Sequence, residues 1–212
     1  MCYTCPVKFF VNSGVLENNK PLKEAAKGGW PLKQKIGLIG GLTSVVVIVA
    51  FAIYLVKSDV PQNVASWIMW TILDVLILMS CFAAGNKRPW LPAGYTLGAF
   101  IVSLILLTRG VWHWGTVETI SAIGATAATV CWKKLGPKSA VIACTLAMTL
   151  AGIPAMYDAW FQPNPASWWL WGGVAFSCAL ACYGAKAWTI EERFFPCSSF
   201  VFNTTMTILV LR

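Results

Sequence analysis

A few polar side chains stand inside long apolar stretches, where they could bind a solute or carry a proton. Asp74 lies near the middle of one stretch, eight positions after Ser66. A charge at membrane depth costs about 2.5–3.5 kcal/mol on insertion scales, so it normally has a partner or a task. The functional interpretation of Asp74 is a carboxylate that couples transport to a proton or cation, or that binds a substrate amine. The structural alternative is a protonated or hydrogen-bonded aspartate that joins helices, with Thr71 or Ser80 as its partner.

Asn203 and two tryptophans are the other candidate solute-binding residues. The asparagine amide offers two donors and an acceptor, which suits hydroxyls or amides on a solute but serves equally to join helices. Trp67 and Trp168 each open a predicted helix and mark the membrane interface. Trp70 and Trp171 come three residues later. In one cavity, the deeper pair would stack on a planar or sugar-like solute from opposite sides; the alternative is an aromatic belt or helix packing. The predicted substrate-binding set is Trp70, Asp74, Trp171 and Asn203.

Four residues are candidates for coupling or gating: Asp74, Glu118, Pro154 and Asp158. Glu118 lies at the outer end of a predicted span, five residues after His113. Pro154 lies inside another span, and Asp158 ends it, where the carboxylate would cap the helix or line the outer mouth. One carboxylate and one imidazole are too few for a metal site, so we predict neither metal nor cofactor.

No catalytic motif supports an enzyme. The sequence contains neither an HExxH nor a GxSxG pattern. Cys2 and Cys5 form one CxxC, but a structural zinc site usually needs four ligands and no second pair is present. We therefore predict no catalytic residues and no enzyme activity.

Seven apolar stretches must position these residues. The 212-residue chain is 58% hydrophobic and 11% charged, whereas roughly 25% charged residues is usual for soluble domains. A hydrocarbon core about 30 Å thick needs roughly 17–25 apolar residues per helix. The predicted spans are Ile36–Val56, Val64–Ala84, Pro92–Thr108, Val117–Trp132, Ser139–Tyr157, Ser167–Ala185 and Pro196–Leu211. The fold class is therefore all-α integral membrane, with seven transmembrane helices.

Positive charge falls on alternate connections between these spans. Of the 16 Lys and Arg residues, 13 lie in the N-terminal segment or in the second, fourth and sixth connections. Because such residues resist translocation, the N-terminus is predicted in the cytoplasm and the C-terminus on the opposite side, with the bacterial inner membrane as the expected location. Anionic lipid and this topology account for the net charge of +8, so no nucleic-acid partner is predicted.

The chain also repeats itself. The segment NVASWIMW from Asn63 aligns with NPASWWLW from Asn164 at a shift of 101 positions, and Pro92 meets Pro196 after a few inserted residues. Each unit is then three helices, and one intervening helix gives both units the same orientation in the membrane. The predicted organisation is 3+1+3: a cytoplasmic basic N-terminal segment, a first repeat, a linker helix region and a second repeat, at residues 1–35, 36–108, 109–138 and 139–212.

This layout resembles the PQ-loop superfamily, which includes the SWEET sugar facilitators, lysosomal amino-acid exporters and bacterial nicotinamide riboside transporters. The resemblance covers about residues 36–211 and includes a proline, a polar turn and a Ser-Trp-x-x-Trp motif: Pro61, Gln62, Ser66, Trp67 and Trp70. SWEET-like transporters use asparagines on the third helix of each unit. Asn203 matches that position in the second unit, whereas the first unit has Ala99.

The resemblance implies a small-solute transporter or facilitator that works by alternating access between the two repeats. Its expected partners are the lipid bilayer and a small polar solute, which is sugar-, nucleoside- or amino-acid-like. The sequence is also compatible with a homo-oligomer or with a protein partner. The alternative function is a non-transporting membrane receptor or assembly subunit on the same scaffold, because a fold does not fix a function.

Overall fold

A computed structural model describes residues 31–58, 63–109, 112–161, 163 and 165–212, without the side chains of residues 109, 154, 158 and 166. These residues form seven α-helices, and none of them forms a β-strand. The helices are α1 Leu32–Ser58, α2 Val64–Ala83, α3 Trp90–Arg109, α4 Thr116–Leu135, α5 Pro137–Phe161, α6 Trp168–Gly184 and α7 Ile190–Leu211. A short 3₁₀ helix, Pro165–Ser167, precedes α6. The predictions for Cys2, Cys5, Pro61 and Gln62, and for nearly all of the basic N-terminal segment, lie outside the described residues.

The described chain is an all-α, multi-pass membrane protein. Five helices, α1, α2, α3, α5 and α7, are long and apolar enough to cross a membrane. The other two predicted spans do not reach that standard by length and composition. Helix α6 has only 17 residues, and α4 carries Glu118, Lys133 and Lys134 within its 20 residues.

Several helix boundaries differ from the predicted spans, most of all at α7. This helix begins at Ile190 rather than at Pro196, which therefore lies inside it. Glu191 and Glu192 occupy the first turn, where negative side chains stabilise the positive end of the helix dipole. The polar first turn explains why a search for apolar runs places the start too late. Ser167 belongs to the 3₁₀ helix, so α6 starts one residue after its predicted boundary.

The exterior of the bundle is apolar, unlike the surface of a soluble protein. Large apolar side chains point outward, as Leu42, Val46 and Ile53 of α1 do, and each is at least half exposed. Polar side chains such as Asp74 and Asn203 lie inside. Lipid solvates an apolar exterior, whereas polar groups within the membrane must find partners inside the protein.

The helices pack in two similar groups of three. Helix α3 lies against both α1 and α2, and α7 lies against both α5 and α6. Between the groups, α1 packs on α6 and α2 packs on α5, while α4 packs on α5 and α2. If α1, α2 and α3 are exchanged with α5, α6 and α7, respectively, the same pairs of helices are in contact.

Glycines permit the closest crossings of α1. A Cβ added at Gly41 would lie 2.5 Å from the carbonyl oxygen of Trp90 in α3, and one at Gly40 would lie 2.8 Å from that of Ser177 in α6. Small residues are enriched at helix interfaces in membranes because they let backbones approach closely. Gly172 of α6 is less crowded, since the nearest neighbour of an added Cβ would lie 3.7 Å away.

Candidate functional site

A cavity of about 370 Å³ lies between the two groups of helices. Residues from α1, α2, α3, α5, α6 and α7 line it, together with Ser167, whereas α4 contributes none of its described residues. Ligand pockets usually measure about 300–1,000 Å³, so the volume suits a small organic molecule. We refer to it as the central cavity.

All four residues of the predicted substrate-binding set line the central cavity. Trp70 and Asp74 reach it from α2, Trp171 from α6 and Asn203 from α7. Two residues of α2, one turn apart, thus share the central cavity with one residue each from α6 and α7. The structure brings the four residues together, and their contact with a solute stays a prediction.

Aromatic rings form a large part of the cavity wall. Eight of its lining residues are aromatic: Phe51, Tyr54, Trp67, Trp70, Tyr95, Trp171, Phe195 and Phe202. Trp67 and Trp70 pack edge to face with ring centroids 5.5 Å apart. Trp171 and Phe202 do so at 6.2 Å. Edge-to-face packing holds rings in fixed orientations, so the wall presents defined apolar surfaces to a bound molecule.

Asp74 is nearly inaccessible, with 2% of its surface exposed. Its Oδ1 has no hydrogen-bond partner within the described part of the chain. Thr71 Oγ1 instead bonds the Trp67 carbonyl at 2.8 Å and contacts Ser103 Oγ at 3.1 Å. Ser80 Oγ has no partner among the described residues either. Neither predicted structural partner, Thr71 or Ser80, is therefore bonded to the carboxylate.

Asn203 both lines the cavity and joins helices. Its Nδ2 donates to the Ser199 carbonyl at 2.7 Å and to the Tyr95 hydroxyl at 3.3 Å. The Tyr95 hydroxyl also contacts Cys178 Sγ at 3.2 Å. A chain of polar contacts thus runs from α7 through α3 to α6. Both interpretations of the asparagine, solute ligand and helix connector, are compatible with this geometry.

Sequence reasoning missed part of the lining. Trp67, assigned to the membrane interface, lines the cavity instead. Tyr95 and Ser199 also line it, although neither was predicted. A signal for these two was available, because the alignment that pairs Pro92 with Pro196 also pairs Tyr95 with Ser199.

Glu118 lies outside the central cavity and joins two helix starts. It is 2% exposed and accepts hydrogen bonds from Asn63 Nδ2 at 2.8 Å, from Ser66 Oγ and from the Gly115 backbone N–H at 2.7 Å. The carboxylate thereby fixes the beginning of α4 to the beginning of α2. This arrangement is a structural connection, and the coupling role stays a prediction. The backbones of Pro154 and Asp158 belong to α5, but their side chains lie outside the described part.

Removing this connection is expected to weaken the fold. We predict that Glu118→Ala lowers the free energy of unfolding by about 1.5–3 kcal/mol, because the half-buried donors of Asn63 and Ser66 lose a charged acceptor. Thermal unfolding in detergent, followed by tryptophan fluorescence, measures the effect. Thr126→Ala is the control, since this exposed side chain of α4 bonds only a carbonyl of its own helix. Equal midpoints for the two variants would contradict the structural role.

A second cavity, of about 350 Å³, opens where basic loops meet. Its lining includes Lys87 and Arg88 from the α2–α3 loop and Lys186 from the α6–α7 loop. Lys138, at the start of α5, forms an ion pair with Glu191 at 3.4 Å. We refer to this end of the bundle as the basic end and to the space as the basic-end cavity.

A layer of large side chains separates the two cavities. Tyr95 and Phe195 line the central cavity, with ring centroids 5.4 Å apart and edge-to-face geometry. One turn before Tyr95, Leu91 lines the basic-end cavity, as does Pro196 next to Phe195. Phe195 and Leu91 are each 2% exposed. The linings of the two cavities thus adjoin at these residues, which we call the Tyr95–Phe195 layer.

Comparisons with protein-family models, with curated proteins and with solved structures find no match.

Proposed function

We propose that this chain is a small-solute membrane transporter in which two three-helix units alternately open the central cavity to each side of the membrane. Helices α1–α3 form the first unit, α5–α7 form the second, and α4 links them, which is the 3+1+3 arrangement. The observation that carries the proposal is the cavity lining. All six helices of the two units contribute to it, and α4 contributes none of its described residues.

The mirrored helix contacts support two equivalent units. In each unit the third helix packs against the other two, and the contacts α1–α6 and α2–α5 correspond to each other. All seven helices then cross the membrane. Helix α6 is about 25 Å long at 1.5 Å per residue, and the preceding 3₁₀ helix adds about 6 Å. The 20 residues of α4 reach about 30 Å, with Glu118 buried at one end and lysines at the other.

The orientation follows from the charges. In the proposed topology the basic end faces the cytoplasm, because lysine and arginine resist translocation. The Tyr95–Phe195 layer then closes the cytoplasmic side. Rocking of one unit against the other about the α1–α6 and α2–α5 contacts would open this layer and close the opposite side. Parallel repeats related by an axis along the membrane normal are known to work in this way in transporters.

Flux through proteoliposomes tests the proposal. The purified protein is expected to exchange at least one solute from a panel of sugars, nucleosides, amino acids and organic cations. We expect Asp74→Asn and Asn203→Ala to reduce that flux by about tenfold, equivalent to about 1.4 kcal/mol in solute binding. Thr205→Ala, on α7 but away from the cavity, is the control and should retain full flux.

Two outcomes would contradict different parts of the proposal. Unchanged flux in both variants would remove Asp74 and Asn203 from the site. A folded protein that moves no solute, yet copurifies from native membranes with one stable partner, would favour the receptor or assembly-subunit alternative.

A further inference from the structure

We infer that the solute of the central cavity is a monovalent organic cation with a flat or compact apolar body, bound by the Asp74 carboxylate and the aromatic wall. The inference rests on the proposed function and narrows its substrate class. It is drawn from the charge of the cavity, the chemistry of its wall and the sequence asymmetry between the two units.

The described lining of the central cavity carries one ionisable carboxylate and no basic side chain. Asp74 is the sole acidic residue among the described lining residues, and none of them is a lysine, arginine or histidine. An isolated carboxylate in an apolar environment is strongly destabilised unless it is paired or protonated. The described protein offers no cation to Asp74, so its counter-charge must come from solution. That counter-charge is a proton, an inorganic cation or an organic cation.

The wall distinguishes between these cations. Hard cations such as Ca²⁺ and Mg²⁺ take six or more oxygen ligands, whereas Asp74 is the one carboxylate among the described lining residues and eight of the others are aromatic. Faces of tryptophan, tyrosine and phenylalanine attract ammonium-type cations, and the attraction is strongest where water is excluded. A volume of about 370 Å³ holds far more than a proton or a bare ion. The combination favours an organic cation.

One further polar group lies ready for the same ligand. The indole Nε1 of Trp70 is buried and has no hydrogen-bond partner among the described residues. A tryptophan N–H only donates, so a ligand that carries a hydroxyl or carbonyl group would satisfy it. Trp70 stands one turn before Asp74 on α2, which places a donor beside the carboxylate.

The duplication shows that the fold does not require this carboxylate. The residue at the position equivalent to Asp74 in the second unit is Ala175, which is 7% exposed and lies in α6. The same helix position therefore packs well with a small apolar side chain. An ionisable group retained in only one unit, facing a cavity, indicates a ligand-specific role.

A pair of probes separates charge from shape. Binding of 1-methyl-4-phenylpyridinium is compared with that of neutral 4-phenylpyridine at mildly alkaline pH, by calorimetry on the detergent-solubilised protein. We expect the cation to bind at least about tenfold more tightly, because a close charge pair and cation–π contacts act on it alone. Asp74→Asn should remove most of this preference, leaving only the part that the aromatic wall supplies, and should leave the affinity for the neutral probe unchanged.

Ser80→Ala is the matched control, because Ser80 is buried on the same helix, unpartnered among the described residues and outside the cavity lining. It should keep the preference for the cation. Benzyltrimethylammonium serves as a second, more compact cation. If the folded protein binds neither cation, or if Asp74→Asn keeps the full preference, the inference is wrong.

Failure of this inference is distinguishable from failure of the proposed function. Cation binding without flux of any solute would support the cation site and contradict the transporter proposal. Flux of neutral solutes, with cations neither bound nor transported, would support the transporter proposal and contradict the inference that the solute is a cation.

Discussion

Replacing Ala99 by phenylalanine is expected to reduce solute flux by about tenfold or more and to leave the protein folded. Ala99 lines the central cavity and is 4% exposed. A phenyl ring at this position would occupy the space of the solute, and because a cavity is available, the larger side chain need not strain the bundle. Proteoliposome flux measures the loss, and thermal unfolding checks the fold.

Ala127→Phe provides the comparison for this variant. Ala127 lies on the exposed face of α4, the helix that contributes no described residue to the cavity. Added apolar volume there should meet lipid and leave flux unchanged. If the two variants lose flux equally, the defect is not specific to the central cavity. If neither loses flux, solute does not pass through it.

The second large effect concerns the layer between the two cavities. Phe195→Ala is expected to expose Cys178 to a membrane-impermeant thiol reagent applied from the basic end, with labelling at least about tenfold faster than in the parent protein. Cys178 is fully buried, and its Sγ lies 3.2 Å from the hydroxyl of Tyr95, which belongs to this layer. Truncating a buried phenylalanine leaves a void that the surroundings fill only partly, so the layer should open. Mass spectrometry follows the modification.

Cys144 is an internal control for this experiment. Like Cys178 it is fully buried and lines neither cavity, but it belongs to α5, whereas Cys178 of α6 contacts Tyr95. Its labelling should stay slow in both proteins. Phe195→Leu is a milder truncation and should give an intermediate labelling rate. It replaces Phe195→Ala in the test if Phe195→Ala disturbs the fold. Unchanged labelling of Cys178 in both variants would show that Phe195 does not close the cavity.

The helices and the membrane class could be predicted from the sequence because they depend on local composition. Apolar runs locate the centres of the helices well. They locate the ends poorly where a polar turn continues the helix, as Glu191 and Glu192 do at α7. The carboxylate and the amide of the central cavity were also predictable, since polar groups inside apolar runs are conspicuous and rarely without a role.

The side of each helix that faces the cavity could not be predicted in the same way. In a membrane both the lipid face and the packed face of a helix are apolar, so periodicity does not separate them. Trp67 and Trp168 show the difficulty, because they occupy the same place in the repeated motif. Trp67 lines the central cavity, whereas Trp168 is 51% exposed.

The connection made by Glu118 was equally hidden. Its partners Asn63 and Ser66 lie 55 and 52 positions away in the sequence. Only the packing of α4 beside α2 brings them together. A local sequence pattern shows an acidic residue near a helix start and gives no indication of that contact.

Access to the central cavity from each side tests the transporter proposal most directly, and it requires no knowledge of the solute. Ala99→Cys in a protein without other cysteines is treated with an impermeant thiol reagent, in right-side-out and in inside-out membrane vesicles. The proposal predicts labelling from both sides, with labelling from one side blocking labelling from the other. A cysteine that reacts from one side only, or from neither, would contradict alternating access through this cavity.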